Sequence, residues 1–292
     1  MKTIGVIGGG TMGSGIAQTV AQIGKYNVIL MDIDQKMVDN ALNKIRKNLE
    51  DFWVAKDKMT SLERDEVLAR IKTTTTLDAM KDADYVIESA LENMEVKLDI
   101  FRKLDEVCRK DVVLTTNTSA LSITKIASVT GRPEKVVGMH FSNPPLIMRR
   151  LEIVKGMQTS EETLNVIRAV GTRLEKQAQL VKKDYPGFTG NRFLNVIVME
   201  GFNMLDAGIA SAEDIDDGVK LGLGHKMGPL ETADLVGLDV VLAISEYLCS
   251  EFGERYRPSP LLKKLVEAGY LGRKTGRGVY DYTEGVKKPW RF

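Results

Sequence analysis

The sequence predicts an α/β fold: a doubly wound, mainly parallel sheet domain followed by an all-α C-terminal domain. Short apolar runs alternate with helical patterns through about the first 180 residues, which is typical of strands and helices that build a parallel sheet. Beyond the turn signal Tyr185-Pro186-Gly187, apolar residues recur at helical spacing almost to the end. We therefore place a domain boundary near residue 184, between residues 1–184 and 185–292.

The first strand, turn and helix carry the most informative motif. Gly8, Gly10 and Gly13 follow an apolar run and open a helical pattern, and Asp32 closes the next apolar run nineteen residues after Gly13. This is the spacing of a Rossmann-type dinucleotide-binding turn. Gly8 permits the tight turn, Gly10 lets a pyrophosphate approach the backbone, and Gly13 lets the helix pack against the strand. An ordinary glycine turn is the alternative.

The same motif predicts NAD as the cofactor. The helix opens at Thr11 and Met12, where unsatisfied N–H groups and the positive end of the helix dipole would meet the pyrophosphate. Asp32 would accept hydrogen bonds from the adenosine ribose hydroxyls. It would repel the 2′-phosphate of NADP.

The remaining elements follow in order along the chain. Further strands are predicted at 72–76, 85–89, 112–116, 136–140, 151–154 and 178–181. Helices are predicted at 35–59, 94–108, 123–129 and 161–177, with a fresh helix start after Thr60, and in the second domain at 193–207, 213–221, 231–252 and 258–269.

The composition of the chain indicates which binding partners and which cellular compartment to expect. Forty-one basic and 40 acidic residues give a formal charge of +1, so bulk charge favours neither nucleic acid nor a membrane surface. Cys108 and Cys249 form no CxxC pair and are interpreted as idle thiols in a reducing cytosol. The chain opens directly on its first strand and has no apolar run of about 18 residues, so we expect a cytoplasmic protein without signal peptide or membrane span. No metal site is expected, and the small helical domain predicts a homodimer.

Two polar residues in neighbouring predicted strands are candidates for acid–base chemistry. His140 ends its strand, where ligands bind in open α/β sheets, and Glu152 lies among apolar residues in the next strand. If the strands are neighbours, Glu152 can hold one imidazole nitrogen while the other faces substrate, as a proton shuttle requires. A structural histidine and a solvated edge-strand glutamate are the alternatives. The second histidine, His225, lies in a Gly-rich turn and is interpreted as structural.

A polar cluster, residues 115–119, ends another strand at the same edge of the sheet. Its side chains could contact a cofactor or a substrate carbonyl, or cap the helix that starts at Ser122. Asn191, near the start of the first helix of the second domain, could reach across the domain cleft or be an ordinary helix residue.

Several segments together resemble the short-chain L-3-hydroxyacyl-CoA dehydrogenase family, most closely its bacterial 3-hydroxybutyryl-CoA dehydrogenases. The resemblance covers essentially the whole chain, and it rests on the segments GGGTMGSGIAQ (8–18), ENMEVK (92–97), NTS (117–119), GMHFSNP (138–144), PGFTGNR (186–192), GPLETADLVGLD (228–239) and LGRKTGRGVYDY (271–282).

The resemblance implies a role for each matching residue. His140 would be the catalytic acid/base with Glu152 as its partner, and Ser119 and Asn191 would hold the carbonyl oxygens of the substrate. The residues implied around NAD, besides the glycines, Thr11, Met12 and Asp32, are Glu92, Lys97, Asn117, Ser119, Asn143 and Lys274. Lys56 lies in a region where related enzymes use lysines on the phosphates of CoA. The implied reaction is reversible NAD-dependent reduction of acetoacetyl-CoA to 3-hydroxybutyryl-CoA.

The departures from the family pattern lie beside the implied substrate site. Ala120 stands where the family usually has a second serine, and Ser142 where it usually has a phenylalanine. Arg149 and Arg150 occupy positions where apolar residues are commoner. The alternatives are therefore a longer 3-hydroxyacyl-CoA, another β-hydroxy acid whose carboxylate binds one arginine, and a non-catalytic NAD-binding protein.

Overall fold

The computed structural model describes residues 2–285 and 287–289. It divides the chain into two compact units, the first ending at Tyr185 and the second beginning at Pro186. The predicted boundary, between residues 184 and 185, lies one residue away from this division.

One eight-stranded sheet forms the centre of the first unit. The strands are β1 (Thr3–Ile7), β2 (Asn27–Met31), β3 (Ile71–Thr74), β4 (Tyr85–Glu88), β5 (Val113–Thr116), β6 (Val136–Phe141), β7 (Arg150–Val154) and β8 (Gln177–Val181). They lie in the order β3-β2-β1-β4-β5-β6-β7-β8. Neighbours run parallel except β6 and β7, which are antiparallel. The strand order reverses where β1 meets β4, and ligands of such sheets bind beyond the carboxyl ends of the strands at this point.

Six helices connect these strands. They are α1 (Thr11–Gln22), α2 (Gln35–Leu49), α3 (Ser61–Ala69), α4 (Met94–Val107), α5 (Ile123–Ala127) and α6 (Glu161–Arg173). Five of them begin at a side-chain cap, because Asp, Thr, Asn or Ser oxygens accept backbone N–H groups of the first turn. The exception is α1, which follows Gly10 without a side-chain cap. Its first N–H groups are therefore available to an anion.

The predicted helix over 35–59 ends earlier than expected. Helix α2 buries Val38, Ala41, Ile45 and Leu49 against the sheet and ends there. A single π-helical turn, Glu50–Val54, follows and buries no residue. The backbone thus stays helical to Val54 through this wider turn, and Trp53, four residues after Leu49, is partly buried against the same core.

In the described residues of the second unit, the regular elements are helices and one short strand pair. Its helices are α7 (Gly190–Asp206), α8 (Ala212–Leu223), α9 (Pro229–Val236), α10 (Leu238–Phe252) and α11 (Pro260–Glu267). The strands β9 (Tyr280–Asp281) and β10 (Lys288–Pro289) pair antiparallel. The single helix predicted over 231–252 is two helices, because Gly237 interrupts it at φ +104°, a conformation that a residue with a side chain rarely adopts.

Two buried aspartates form hydrogen bonds between the elements of the second unit. Asp216 on α8 accepts the backbone N–H groups of Leu230 and Glu231 at 2.8 and 3.0 Å, and the Tyr280 hydroxyl at 2.6 Å. Asp234 on α9 accepts the N–H groups of Val279 and Tyr280, both at 2.9 Å. The start of α9 is thus held by α8, and its end holds the segment that leads into β9.

Within the described residues, no helix combines the length and the apolar character needed to cross a bilayer.

Candidate active site

The turn between β1 and α1 has the backbone geometry that its glycines predict. Gly8 has φ +101°, and a Cβ there would lie 2.4 Å from the carbonyl oxygen of Ser89. A Cβ on Gly13 would lie 1.8 Å from the carbonyl oxygen of Gly8, so only glycine lets α1 approach the turn. At Gly10 a Cβ would meet nothing within 4 Å. The turn is therefore closed on its protein side and open at Gly10.

Asp32 lies directly beyond β2 and faces this turn. Its Oδ2 accepts the backbone N–H of Gly9 at 2.6 Å, and its Oδ1 accepts that of Ile33 at 2.7 Å. Each carboxylate oxygen has a second lone pair for a hydroxyl donor. The open glycine turn, the uncapped start of α1 at Thr11 and Met12, and this fixed acidic acceptor together suit a dinucleotide with a free ribose 2′-hydroxyl.

The antiparallel pairing of β6 and β7 brings His140 and Glu152 together. The two residues are direct partners in the register, and His140 Nδ1 lies 2.8 Å from Glu152 Oε2. Glu152 is fully buried and the His140 side chain is 12% exposed. With Nδ1 held by the carboxylate, Nε2 is the ring atom positioned to exchange a proton. The pair has the geometry of a general acid/base.

Glu152 has a second charged partner that the sequence reasoning missed. Arg150 Nη2 lies 2.5 Å from Glu152 Oε1, and Arg150 Nε donates to Gln179 Oε1 at 3.0 Å. The available signal was the two-residue spacing, which places Arg150 and Glu152 on the same side of one strand. Arg149, next to it, is exposed.

A buried ion pair lies at the carboxyl ends of β4 and β5. Lys97 Nζ on α4 lies 2.6 Å from Glu88 Oε1, and both side chains are almost wholly buried. Glu88 also accepts the hydroxyl of Thr116 at 2.6 Å. Lys97 Nζ lies 3.6 Å from the second acid, Glu92. Lys97 and Glu92 were predicted here, whereas Glu88 was missed, although an acid that ends an apolar strand is the signal that singled out Asp32.

The polar cluster after β5 is ordered by Glu92 and by its own hydroxyls. Glu92 Oε1 accepts the Thr118 hydroxyl at 2.6 Å and the Ser119 N–H at 2.8 Å. Asn117 Oδ1 accepts the backbone N–H of Phe141 at 2.8 Å, which ties the cluster to the residue after His140. Ser119 therefore lies in a loop held by Glu92. The cap of α5 is Ser122 itself, whose hydroxyl accepts the Lys125 N–H, and not a residue of the cluster, for which capping was one of the two predicted roles.

The segment after β6 is anchored by a buried lysine. Lys176 Nζ donates to the carbonyl oxygens of Pro145 and Met148, the latter at 3.0 Å. Burial lowers the pKa of Lys176. This anchor fixes the loop that carries the exposed Asn143, at a cis Asn143–Pro144 bond, and leads into Arg149.

The remaining predicted residues lie in other parts of the chain. Lys56 is exposed in the turn after the π-helical segment, with Nζ 4.9 Å above the Phe52 ring. In the second unit, Asn191 is the second residue of α7, and Lys274 Nζ contacts both carboxylate oxygens of Asp239 at 2.5 and 2.6 Å. The roles of these three residues stay predictions.

Comparison with known proteins agrees with this geometry. Residues 3–185 match the model of the 3-hydroxyacyl-CoA dehydrogenase NAD-binding domain, and residues 187–282 match that of the 3-hydroxyacyl-CoA dehydrogenase C-terminal domain. The chain belongs to the 3-hydroxyacyl-CoA dehydrogenase family. The predicted family, fold class, NAD cofactor and dehydrogenase class are thereby confirmed.

Similar proteins within the family share nearly the full length of the chain. It is 45% identical over 282 residues to the 3-hydroxybutyryl-CoA dehydrogenase of Clostridioides difficile, covering 96% of this chain and 99% of that one. It is 45% identical over 285 residues to the probable 3-hydroxybutyryl-CoA dehydrogenase of Bacillus subtilis, covering 97% and 98%. The crystal structure of (S)-3-hydroxybutyryl-CoA dehydrogenase PaaH1 from Ralstonia eutropha matches with a TM-score of 0.91 at 43% identity, covering 97% of this chain and 99% of that one.

Proposed function

We propose that this member of the family interconverts acetoacetyl-CoA and (S)-3-hydroxybutyryl-CoA with NAD(H), using His140 and Glu152 as its acid/base pair. The observation that carries the proposal is the 2.8 Å contact between His140 Nδ1 and the fully buried Glu152 Oε2. The four-carbon thioester and its (S) configuration are supported by the names of the relatives and of the solved enzyme.

The side chains supply the proton chemistry of this reaction. When bound, NAD supplies the hydride chemistry. In the direction of reduction, protonated His140 donates from Nε2 to the alkoxide that develops at C3. Glu152 fixes the tautomer through Nδ1 and stabilises the imidazolium. Ser119 and Asn191 hold the carbonyl oxygens of the substrate, which is a positional contribution to the rate.

The cofactor is held by the glycine turn and by the network at the ends of β4, β5 and β6. Gly8, Gly10 and Gly13 with Thr11 and Met12 cradle the pyrophosphate, and Asp32 takes the adenosine ribose. The residues proposed for the nicotinamide end are Glu92, Lys97, Asn117, Ser119 and Asn143, with Lys274 as a further contact. The Lys97–Glu88 pair supports this assignment, since it holds Lys97 rigidly where the strands end.

Lys56 is proposed to contact the phosphates of CoA, because it is an exposed cation in a turn of the first unit. Lys56→Ala should raise the KM for acetoacetyl-CoA and leave that for NADH unchanged. A KM for acetoacetyl-CoA that does not respond to salt would contradict the contact.

We further propose that the protein is a cytoplasmic homodimer formed through the helical unit. Helices of that unit present large apolar side chains to solvent, among them Phe193, Leu221 and Leu223, which are 72%, 85% and 68% exposed. We propose that these side chains form the contact between two copies, because a partner that covers them removes apolar surface from water. Light scattering during gel filtration should give twice the 32.4 kDa chain mass, and a monomer at micromolar concentration would contradict the dimer.

One assay tests the substrate. NADH oxidation is followed at equal concentrations of acetoacetyl-CoA and free acetoacetate, with a control that lacks substrate. We expect kcat/KM for the thioester to exceed that for the free acid by orders of magnitude. A preference for the free acid would assign the protein to another β-hydroxy acid, and no turnover with any β-keto substrate would support a non-catalytic NAD-binding protein.

A further inference from the structure

Arg150 extends the His140–Glu152 pair into a chain across three strands. Its Nη2 lies 2.5 Å from Glu152 Oε1, while Glu152 Oε2 lies 2.8 Å from His140 Nδ1. Its Nε donates to Gln179 Oε1, and Gln179 is the register partner of Glu152 on β8. The buried carboxylate is thus shared between an imidazole and a guanidinium, and the guanidinium is itself held in place.

The charges of this chain decide how readily His140 holds its proton. With neutral His140, Arg150 and Glu152 sum to zero, and protonation of His140 raises the sum to +1. Without the guanidinium, the same two states would carry −1 and zero. A buried net charge is unfavourable, so Arg150 shifts the balance toward neutral imidazole.

We infer that Arg150 is a positioning residue that acts through Glu152 and makes His140 release its proton at lower pH than the His–Glu pair alone would. The inference rests on the proposed function, in which His140 is the acid of reduction and the base of oxidation. Arg150 makes His140 a stronger acid in reduction and keeps it available as a base toward lower pH in oxidation. The Arg150 side chain is 33% exposed, so solvent screens part of its charge, and we expect a shift of about one pH unit on its removal.

The elements packed beside β6 carry few other charged residues, and those on the two helices are not buried. Strands β5 and β8 carry no charged residue, and β7 carries only Arg150 and Glu152. Helix α5 carries the exposed Lys125. Helix α6 carries Glu161, Glu162, Arg168 and Arg173, none of which is among its buried residues. Arg150, by contrast, is in direct contact with the buried carboxylate of the pair.

The direct test follows the two histidines by NMR in protein labelled at the imidazole carbons. The chain has only His140 and His225, so His225→Gln assigns both signals and His225 serves as an internal control. Arg150→Gln removes the charge but keeps a donor for Glu152. We expect it to raise the titration midpoint of His140 by about one pH unit and to leave that of His225 unchanged.

Two control variants separate charge from structure. Arg150→Lys keeps the charge and should stay within a few tenths of a pH unit of the wild type. Arg149→Gln removes the adjacent, exposed charge and should have no effect. An Arg150→Gln midpoint equal to that of the wild type, or an equal shift in Arg149→Gln, would overturn the inference.

A measurement on the wild type covers the case in which Arg150→Gln does not fold. The Nε–H signal of Arg150, identified by its loss in Arg150→Lys, should move with the same midpoint as His140. A signal that does not respond to the His140 titration would overturn the coupling.

Kinetics connect the coupling to catalysis and separate its failure from failure of the proposed function. In Arg150→Gln, the alkaline limb of acetoacetyl-CoA reduction and the acid limb of 3-hydroxybutyryl-CoA oxidation should both move about one pH unit upward. Limbs that coincide with those of an active wild type would contradict only the role of Arg150. A wild type without activity would contradict the proposed function, while the NMR titration would still decide the coupling.

Discussion

At the scale of single residues, the main feature of the site is a pair of fully buried carboxylates. Glu152 and Glu88 are both fully buried, and each is engaged by a cation and by a further polar group. A buried acid whose partner is removed becomes strongly unfavourable, because its charge is left uncompensated. Conservative substitutions at these positions should therefore affect both the turnover rate and the free energy of unfolding, and the two effects can be measured separately.

His140→Gln should lower kcat by about 10²- to 10⁴-fold, because it removes the proton donor of the reaction. The affinity for NADH, measured by fluorescence titration, should hardly change. Glu152→Gln should also lower kcat, since it removes the charge that stabilises the imidazolium. The matched control is His225→Gln, which changes an exposed histidine after α8 and should leave kcat intact. Normal kcat in His140→Gln or in Glu152→Gln would contradict the acid/base pair.

Asp32→Ala should narrow the preference for NADH over NADPH, because it removes the negative charge that faces the 2′ position. The ratio of kcat/KM for the two cofactors measures the effect. Asp39→Ala, at an exposed position on α2, is the control and should keep the wild-type ratio. A wild type that already uses NADPH as well as NADH would show that Asp32 has a different role.

At the scale of elements, the β1–α1 turn and the β6–β7 pair position the two halves of the chemistry. The turn owes its shape to glycines with no space for a side chain. The β6–β7 pair owes its function to an antiparallel register that sets His140 opposite Glu152. In that arrangement a one-residue slip would turn one of the two side chains to the other face of the sheet.

Two alanine variants of the turn should separate folding from cofactor binding. In Gly13→Ala, the new Cβ would meet the Gly8 carbonyl oxygen, so we expect a lower Tm and at least a tenfold higher Kd for NADH. In Gly10→Ala, the Cβ has space and φ is −65°, so Tm should be preserved while NADH binding weakens. Calorimetry of unfolding and of binding measures both quantities. Unaltered NADH affinity in Gly10→Ala would place the pyrophosphate elsewhere.

At the scale of the whole molecule, contacts between residues far apart in the chain contribute to the acid stability of the first unit. Asp84, just before β4, accepts the backbone N–H groups of Lys2 and Thr3 at 2.6 and 3.1 Å. Arg109 Nη2, just after α4, lies 2.9 Å from the same carboxylate. The Lys2 N–H bond, with help from Thr3 and Arg109, outweighs partial burial and lowers the pKa of Asp84 to about 2.

Asp84→Asn should therefore destabilise the protein in a pH-dependent way. A carboxyl whose pKa is lowered on folding adds stability above its unfolded pKa of about 4 and loses it as the pH falls toward 2. At pH 7 the variant should lose about 2 kcal/mol of unfolding free energy in urea titrations, and near pH 2 the two proteins should converge. Asp111→Asn, which removes the exposed second partner of Arg109, is the control. A loss that stays the same at pH 2 would show that the charge is not responsible.

The sequence by itself determined the fold class and named several candidate residues for the site. Glycine spacing, the acid after β2 and the alternation of apolar runs are local signals, because they depend on backbone freedom and on a period of two or 3.6 residues. They were sufficient for the nucleotide turn, for Asp32, and for His140 and Glu152 as candidates. Local signals also fixed the helix starts, since a cap such as Thr60 lies within three residues of the groups it binds.

Only the tertiary structure decided which candidates meet. The 2.8 Å contact of His140 with Glu152 depends on the direction and register of two strands, which no local pattern encodes. Arg150 gained its role from a carboxylate buried by neighbouring strands, and Glu88 from a lysine nine residues away on α4. The change from α2 to a π-helical turn after Leu49 was likewise not predicted. The break at Gly237 depends on a positive φ that glycine permits but does not require, so the surrounding structure decides whether the residue adopts it.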